Sequence, residues 1–291
     1  MKIVLTGASG YIGQAFIRVY RKLDLVPLSY DLQKRENFSL NNRSMPNIEQ
    51  FLEPVEALIH LGSFMPKNIK QAQDKVSSKK NIESTINLLT YKLPSLKHII
   101  YISTIDVYDF TVKVSEKTKP NPNTEYAISK LACENIVKQF AEKHGILYSI
   151  LRVGTVYGPG ENSFQKVIPV MLREFILNNQ ITIYGDGSIR RNFLYVEDVA
   201  KMIGEVAFAS KQNRLINLIG FHPTSIRELA DKIQLLVPEN KAIIKELNIT
   251  VPSSDHDFDT TLLNSIFPNF KFTPIINGLD NELKFIKSGI S

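Results

Sequence analysis

The run Gly7-Ala8-Ser9-Gly10-Tyr11-Ile12-Gly13 constrains this chain more than any other feature. It follows the short apolar run Lys2–Thr6 directly and opens an amphipathic stretch. Glycines at this spacing allow a tight turn, a close approach of backbone to ligand, and close packing of helix on strand. A helix that begins here presents free N–H groups and the positive end of its dipole to an anion. Glycine-rich turns elsewhere in a chain say little. At a strand-to-helix junction this one predicts an α/β fold that holds the pyrophosphate of a dinucleotide. Gly7, Gly10, Tyr11, Ile12 and Gly13 are therefore candidate cofactor residues.

The sequence beyond the loop keeps the rhythm of a parallel sheet. Strand-like runs are Lys2–Thr6, Leu25–Tyr30, Ala57–Leu61, His98–Ser103 and Leu147–Arg152, separated by helix-like Tyr11–Leu23, Asn81–Tyr91 and Tyr126–His144. The runs are rich in Ile, Leu and Val without strict alternation, as expected of strands covered by helices on both faces. After Arg152 the rhythm breaks at Gly158-Pro159-Gly160. There follow a helix over Ile168–Leu177, a strand over Ile181–Tyr184, a helix over Val196–Ala209, a strand over Ile216–Ile219, and a helix opened by Thr224-Ser225-Ile226-Arg227-Glu228. The predicted architecture is a Rossmann-type doubly wound parallel sheet over 1–157, to which 193–222 returns. Residues 158–192 and 223–291 form a smaller, discontinuous α/β lobe for substrate.

Asp31 stands at the end of the second strand, 18 residues after Gly13. A carboxylate there accepts hydrogen bonds from adenosine ribose hydroxyls and repels a 2′-phosphate, which favours NAD. Lys34 and Arg35 follow closely and leave NADP as the alternative cofactor.

Tyr126-Ala127-Ile128-Ser129-Lys130 places a phenol and an ammonium four residues apart, on one face of a helix. A neighbouring positive charge favours phenolate, so this pair is expected to lower the tyrosine pKa and to serve as acid and base when an alcohol and a ketone interconvert. It follows a strand that ends in Ser103-Thr104. With these segments in order, the chain resembles the extended short-chain dehydrogenase/reductases of the NAD-dependent epimerase/dehydratase type over nearly its whole length. Further matching segments are Leu58-Ile59-His60-Leu61-Gly62-Ser63, Tyr101–Tyr108, Arg152 with Val156–Gly160, and Tyr184-Gly185-Asp186-Gly187 through Arg190-Arg191-Asn192-Phe193.

The resemblance implies that Thr104, Tyr126 and Lys130 are catalytic, and that Tyr126 and Lys130 also meet the cofactor. Leu61, Gly62 and Ser63 would line it. Thr104, Asp106, Thr155 and Arg191 would meet a nucleotide-diphosphate sugar, with the Arg191 guanidinium offering a planar fork to phosphate oxygens. Three departures stand out: Thr155 replaces an Asn, Asn192 replaces an Asp, and Ser253-Ser254-Asp255 stands where an Arg is expected. In 4,6-dehydratases an Asp-Glu pair follows the catalytic threonine. Here the pair is Ile105-Asp106, and isoleucine cannot donate a proton. The reading is hydride transfer at C4 of a nucleotide-linked sugar, foremost by a 4-ketosugar reductase. The alternative is a 4-epimerase that retains NAD. A reading from another class is a non-catalytic, dinucleotide-binding redox sensor, which has no need of the triad.

Composition narrows the remaining classes. Among 291 residues there is one cysteine, Cys133, so no internal disulfide framework forms, and a reducing, cytoplasmic setting is expected. Cys133, seven residues after Tyr126, reads as core packing. The start of the chain has too short an apolar stretch for a signal peptide, and no window suits a membrane span. The net charge of +6 is scattered and the chain lacks tryptophan, so no nucleic-acid partner is expected; no metal site is expected either. A homodimer is compatible with the sequence.

Overall fold

The computed structural model describes residues 1–28, 54–110, 113–161, 166–209, 212–237, 242–247 and 255–290. Along the chain these form β1 (Lys2–Thr6), α1 (Tyr11–Val19), β2 (Asp24–Leu28), β3 (Val55–His60), α2 (Ile69–Ala72), α3 (Lys75–Leu89), β4 (His98–Thr104), α4 (Glu125–His144) and β5 (Leu147–Val153). Then come β6 (Thr155–Tyr157), α5 (Val167–Asn178), β7 (Gln180–Tyr184), β8 (Arg190–Arg191), β9 (Phe193–Tyr195), α6 (Val196–Ala209) and β10 (Arg214–Leu218). The last elements are β11 (Thr224–Ser225), α7 (Ile226–Gln234), β12 (Ile243–Leu247), α8 (Thr261–Ile266) and α9 (Ile275–Ile290). Two compact units result: Met1–Asp109 with Lys119–Val153 and Val199–Asn217, and Phe110–Thr118 with Gly154–Asp198 and Leu218–Ser291.

The first unit is built on a six-stranded sheet in the order β2-β1-β3-β4-β5-β10. The ladders β1–β2, β1–β3, β3–β4 and β4–β5 are all parallel. All seven residues of β4, His-Ile-Ile-Tyr-Ile-Ser-Thr, are buried, which accounts for the lack of alternation across its central Ile99–Ile102. Val4, Leu58, Ile99, Tyr101 and Ile150 of the sheet share a core with Leu88 of α3 and with Cys133 and Val137 of α4. Each such side chain contributes about 1.5–3 kcal/mol by leaving water.

Both helices have clear start signals. Asp74 caps α3 by accepting from Val76 and Ser77 N–H, and Thr124 caps α4 by accepting from Ala127 N–H. Gly145, with φ +65°, ends α4 in the left-handed conformation, after Lys143 and His144 in the last turn. Strand order reverses between β1 and β3, so the crevice beyond their carboxyl ends is the binding position of such sheets. The Gly7–Gly13 loop follows β1 there, and Leu61-Gly62-Ser63 follows β3.

The second unit has three two-stranded ladders: β6–β9 and β7–β12, both parallel, and β8–β11, antiparallel. Its core gathers Leu172 and Phe175 of α5, Ile183 of β7, Leu229 and Ile233 of α7, and Leu279 and Leu283 of α9. Ser225 and Glu228 form a reciprocal capping box at the start of α7. Phe110–Thr118 joins this unit through the bridge Val114↔Phe258, with Val114 N–H donating to Asp257 O. Among the described residues no helix is long and apolar enough to cross a membrane, and no cluster of three or more His, Cys, Asp or Glu is placed to hold a metal.

Candidate active site

The glycine loop has the form a dinucleotide requires. Gly7 has φ +68°, and a Cβ on it would lie 2.7 Å from Gly62 N. The two loops at the β1/β3 switch therefore touch backbone to backbone. A Cβ on Gly13 would lie 2.2 Å from Gly7 O, so only glycine lets α1 start this close to the turn. Gly10 N–H donates to Gly7 O at 2.9 Å and closes the turn. Gly10 is the N-cap of α1, whose first turn carries Tyr11 and Ile12 and no acidic residue. The positive end of the helix is thus left for an anion. Leu61 and Ser63 flank Gly62 and are half-buried. Asp31, Lys34 and Arg35 lie outside the described residues, as do Ser253 and Ser254.

Thr104 ends β4, and Tyr126 and Lys130 occupy the first two turns of α4 in the same unit. All three are buried. Lys130 Nζ donates to Ile102 O at 2.6 Å and sits 4.5 Å from the Tyr101 ring centre. Burial pushes Lys130 down to about 8, offset in part by Cys133 and Glu134. The expected lowering of the Tyr126 pKa is corrected here. Burial first, and then the charge of Asp106, raise it far above its ordinary value. Tyr126 is thus a phenol, a proton donor, while Lys130 Nζ gives one of its three N–H groups to Ile102 O. Thr104 Oγ1 accepts from Asp106 N–H at 3.2 Å, while Ile105 is buried.

Three buried residues around this site, Asn81, Glu134 and Asn217, were not singled out from the sequence. Asn81 of α3 accepts from Phe64 N–H through Oδ1 at 2.6 Å and donates from Nδ2 to Ser129 Oγ at 3.1 Å. It ties the segment after β3 to the helix that carries Tyr126. Glu134 accepts from Ser103 Oγ at 2.6 Å and binds Arg152 in a two-pronged pair, 2.9 Å from Nε and 2.7 Å from Nη2. Arg152 Nη1 donates to the Tyr108 hydroxyl, which donates to Asn217 Oδ1 at 3.0 Å. The available signal was a polar residue recurring on the buried face of each helix.

Thr155 and Arg191 belong to the second unit. Thr155 opens β6 and is paired in register with Phe193. Arg191 is half-buried; its Nη1 donates to Arg190 O, and it lies close enough to Asp255 and His256 to interact with both. His256 stacks on Phe110 with ring centres 3.9 Å apart. Asn192 is buried, and its Nδ2 donates to Gly220 O at 2.8 Å.

The NAD dependent epimerase/dehydratase family matches residues 3–218. A Bacillus subtilis protein named uncharacterized UDP-glucose epimerase YtcB is 25% identical, over 99% of this chain and 98% of the relative. The dTDP-4-dehydro-6-deoxy-D-allose reductase of a Streptomyces species is 22% identical, over 98% and 96% of the two chains. The structure of a UDP-glucuronic acid 4-epimerase from Bacillus cereus in complex with NAD superposes with a TM-score of 0.81 at 23% identity, covering both chains completely.

Proposed function

The chain belongs to the NAD dependent epimerase/dehydratase family, and from that premise we propose that it is a reductase of nucleotide-linked 4-ketosugars. Family membership makes it an enzyme and sets aside the redox-sensor reading. The observation that carries the proposal is the placement of Tyr126, buried and near enough to Asp106, just beyond the carboxyl end of β4, to interact with it.

NAD fits the residues present. Gly7 and Gly62 pack backbone to backbone with no room for a Cβ on Gly7, which keeps the turn tight, and the start of α1 suits a pyrophosphate. Gly7, Gly10, Tyr11, Ile12 and Gly13 would hold that group, and Leu61, Gly62 and Ser63 would line it. Asp31 is proposed for the ribose hydroxyls. When bound in its reduced form, the cofactor supplies a hydride to the sugar carbonyl carbon.

The protein supplies position and a proton. Thr104 orients the sugar oxygen by hydrogen bonding. Tyr126 gives its phenolic proton to that oxygen as the alcohol forms. Lys130 then stabilises the phenolate left behind, since a positive charge nearby favours the charged form. Arg191 is proposed to hold the diphosphate of the substrate, with Thr155 and Asp106 as further substrate contacts. A 4,6-dehydratase would need an acid in place of Ile105, and that side chain is buried hydrocarbon.

A second reading, 4-epimerisation with NAD retained through the cycle, is favoured by the names of the Bacillus subtilis relative and of a putative UDP-glucose 4-epimerase from Methanocaldococcus jannaschii, 26% identical over 80% of this chain. Product analysis separates the two. Nucleotide-linked 4-ketosugars are supplied with NADH or NADPH, and consumption of the reduced cofactor in proportion to alcohol formed supports the reductase. Interconversion of 4-epimers without net consumption, with NAD released on denaturation, overturns it.

A further inference from the structure

One buried histidine beside the cofactor cradle is not used by the chemistry above. Thr6 and His60 are the last residues of β1 and β3, and they face each other as register partners across the switch point. Thr6 Oγ1 lies 2.6 Å from His60 Nδ1, and His60 Nε2 lies 3.0 Å from Thr85 Oγ1 on α3. Gly62 N–H donates to Thr6 Oγ1 at 3.0 Å, and Thr85 Oγ1 donates to Asn81 O at 2.8 Å. Thr6, His60 and Thr85 are each at most 1% exposed.

Counting hydrogens gives the chain a direction. Thr85 has one hydroxyl hydrogen, and it goes to Asn81 O at 2.8 Å, with Cys133 Sγ at 3.4 Å as the weaker acceptor in reach. Thr85 therefore accepts from His60, whose proton is on Nε2. Nδ1 is then an acceptor for the Thr6 hydroxyl, and the Thr6 oxygen is free to accept from Gly62 N–H. The opposite tautomer would leave the Thr6 hydrogen without an acceptor in a buried site, at a cost. The aligned relay runs from Gly62 through Thr6 and His60 to Thr85.

We propose that His60 is a positioning residue for the dinucleotide: acting through the Thr6 hydroxyl, it fixes the Gly62 backbone against Gly7 and so sets the depth of the cradle. The contact it governs has no slack, because Gly62 N is 2.7 Å from where a Gly7 Cβ would be. Turning the Thr6 hydroxyl away moves Gly62, and with it the surface on which the cofactor lies. The neutral form is essential to the role, since protonated Nδ1 cannot accept. Burial, reinforced by the Lys130 charge, keeps it neutral by pushing its pKa down to about 3.

This inference rests on the NAD-binding reading above, so the test begins with calorimetric titration of wild-type protein with NAD. Absence of binding there refutes that reading and not the relay. Nitrogen-15 spectra of the labelled imidazoles, five histidines in all, then report the tautomer without any cofactor. A buried histidine protonated on Nε2 at neutral pH is expected, and an Nδ1-protonated His60 overturns the proposal.

His60→Leu is expected to raise the NAD dissociation constant about tenfold, the loss of one well-placed buried hydrogen bond. His60→Asn keeps an acceptor for Thr6 and is expected to stay within about threefold of wild type. Thr6→Val preserves shape, removes the hydroxyl, and is expected to match His60→Leu; it serves if His60→Leu does not fold. A folded Thr6→Val or His60→Leu with wild-type affinity overturns the proposal. So does an Asn variant as impaired as the Leu variant.

Discussion

Replacing Glu134 with Gln removes one charge from the interior and changes its volume little. Glu134 is fully buried and Arg152 is 3% exposed at the side chain, and the two meet through two hydrogen bonds of 2.9 and 2.7 Å. After the substitution Arg152 keeps the Tyr108 hydroxyl but has no counter-charge in this group. A buried ion pair broken on one side costs about 3–5 kcal/mol, because the surviving charge can neither return to water nor find a counter-charge. At about 2–4 °C per kcal/mol for a chain of this class, the melting temperature falls by roughly 6–20 °C. Changing Glu134 and Arg152 together to Met removes both charges, and most of the loss is expected to return. Thermal and urea denaturation followed by circular dichroism read both effects. A shift under about 2 °C for Glu134→Gln, or a double variant as unstable as the single one, would refute this reasoning. The substitution also reaches the chemistry: with the Glu134 charge gone, Lys130 falls further below its present value of about 8.

Tyr126→Phe is expected to cut kcat by about 10²–10⁴ with NAD affinity unchanged, because only the transferable proton is lost; a near-normal kcat rejects the assigned role. Arg191→Ala is expected to raise the substrate KM at least ~10-fold at constant NAD affinity, since charge-assisted bonds to phosphate are among the stronger ones; unchanged KM makes Arg191 structural. Burial depresses His60 to about 3, and His98 and His256 to about 4. Below the unfolded value of about 6.5 the unfolded chain binds protons that the native one refuses, so stability falls toward acid by up to ~1.4 kcal/mol per pH unit for each histidine. Urea titrations at falling pH check the slope, and constant stability refutes it. Glu282, which accepts from Gly158 N–H, is pushed up to about 7, first by burial and then by Glu161. It acts in the opposite sense, so Glu282→Gln is expected to stabilise the protein at pH 8 and not at pH 4, and equal effects at both would contradict this.

The sheet was legible because its strands lack alternation, and its nucleotide end because Gly7–Gly13 sits where a strand turns into a helix. Other parts left weaker traces. The helix-like stretch reads from Asn81, because the residues before it are mostly polar, yet Asp74 caps α3 and the helix starts at Lys75. The bridge between Val114 and Phe258 joins residues far apart in sequence, and no periodicity announces such a contact. β12 is mostly exposed, so burial imposes no pattern on it. Within the site, the four-residue spacing placed Tyr126 and Lys130 on one helix face. It could not show that Ile102 O, on a neighbouring strand, takes the ammonium. His60 was visible as part of a motif, but its partners come from β1 and α3, and one-dimensional spacing does not reveal which strands become neighbours.

Completion of the first unit by Val199–Asn217 has a consequence during synthesis. β5 ends at Val153, while β10, its neighbour on the far side, ends at Leu218. The ribosome adds about 5–20 residues per second, so β5 waits roughly 3–13 s with one edge unpaired. An unpaired edge in a growing chain is a template for the wrong strand, including the same strand of a neighbouring nascent chain. During that interval Tyr108 and Arg152 also lack Asn217, the last member of their hydrogen-bonded line. A chain cut short at residue 198 would keep the entire glycine loop and the Tyr126 helix, yet it would carry this open edge permanently. Aggregation rather than a minimal dinucleotide-binding fragment is the expected fate of such a product.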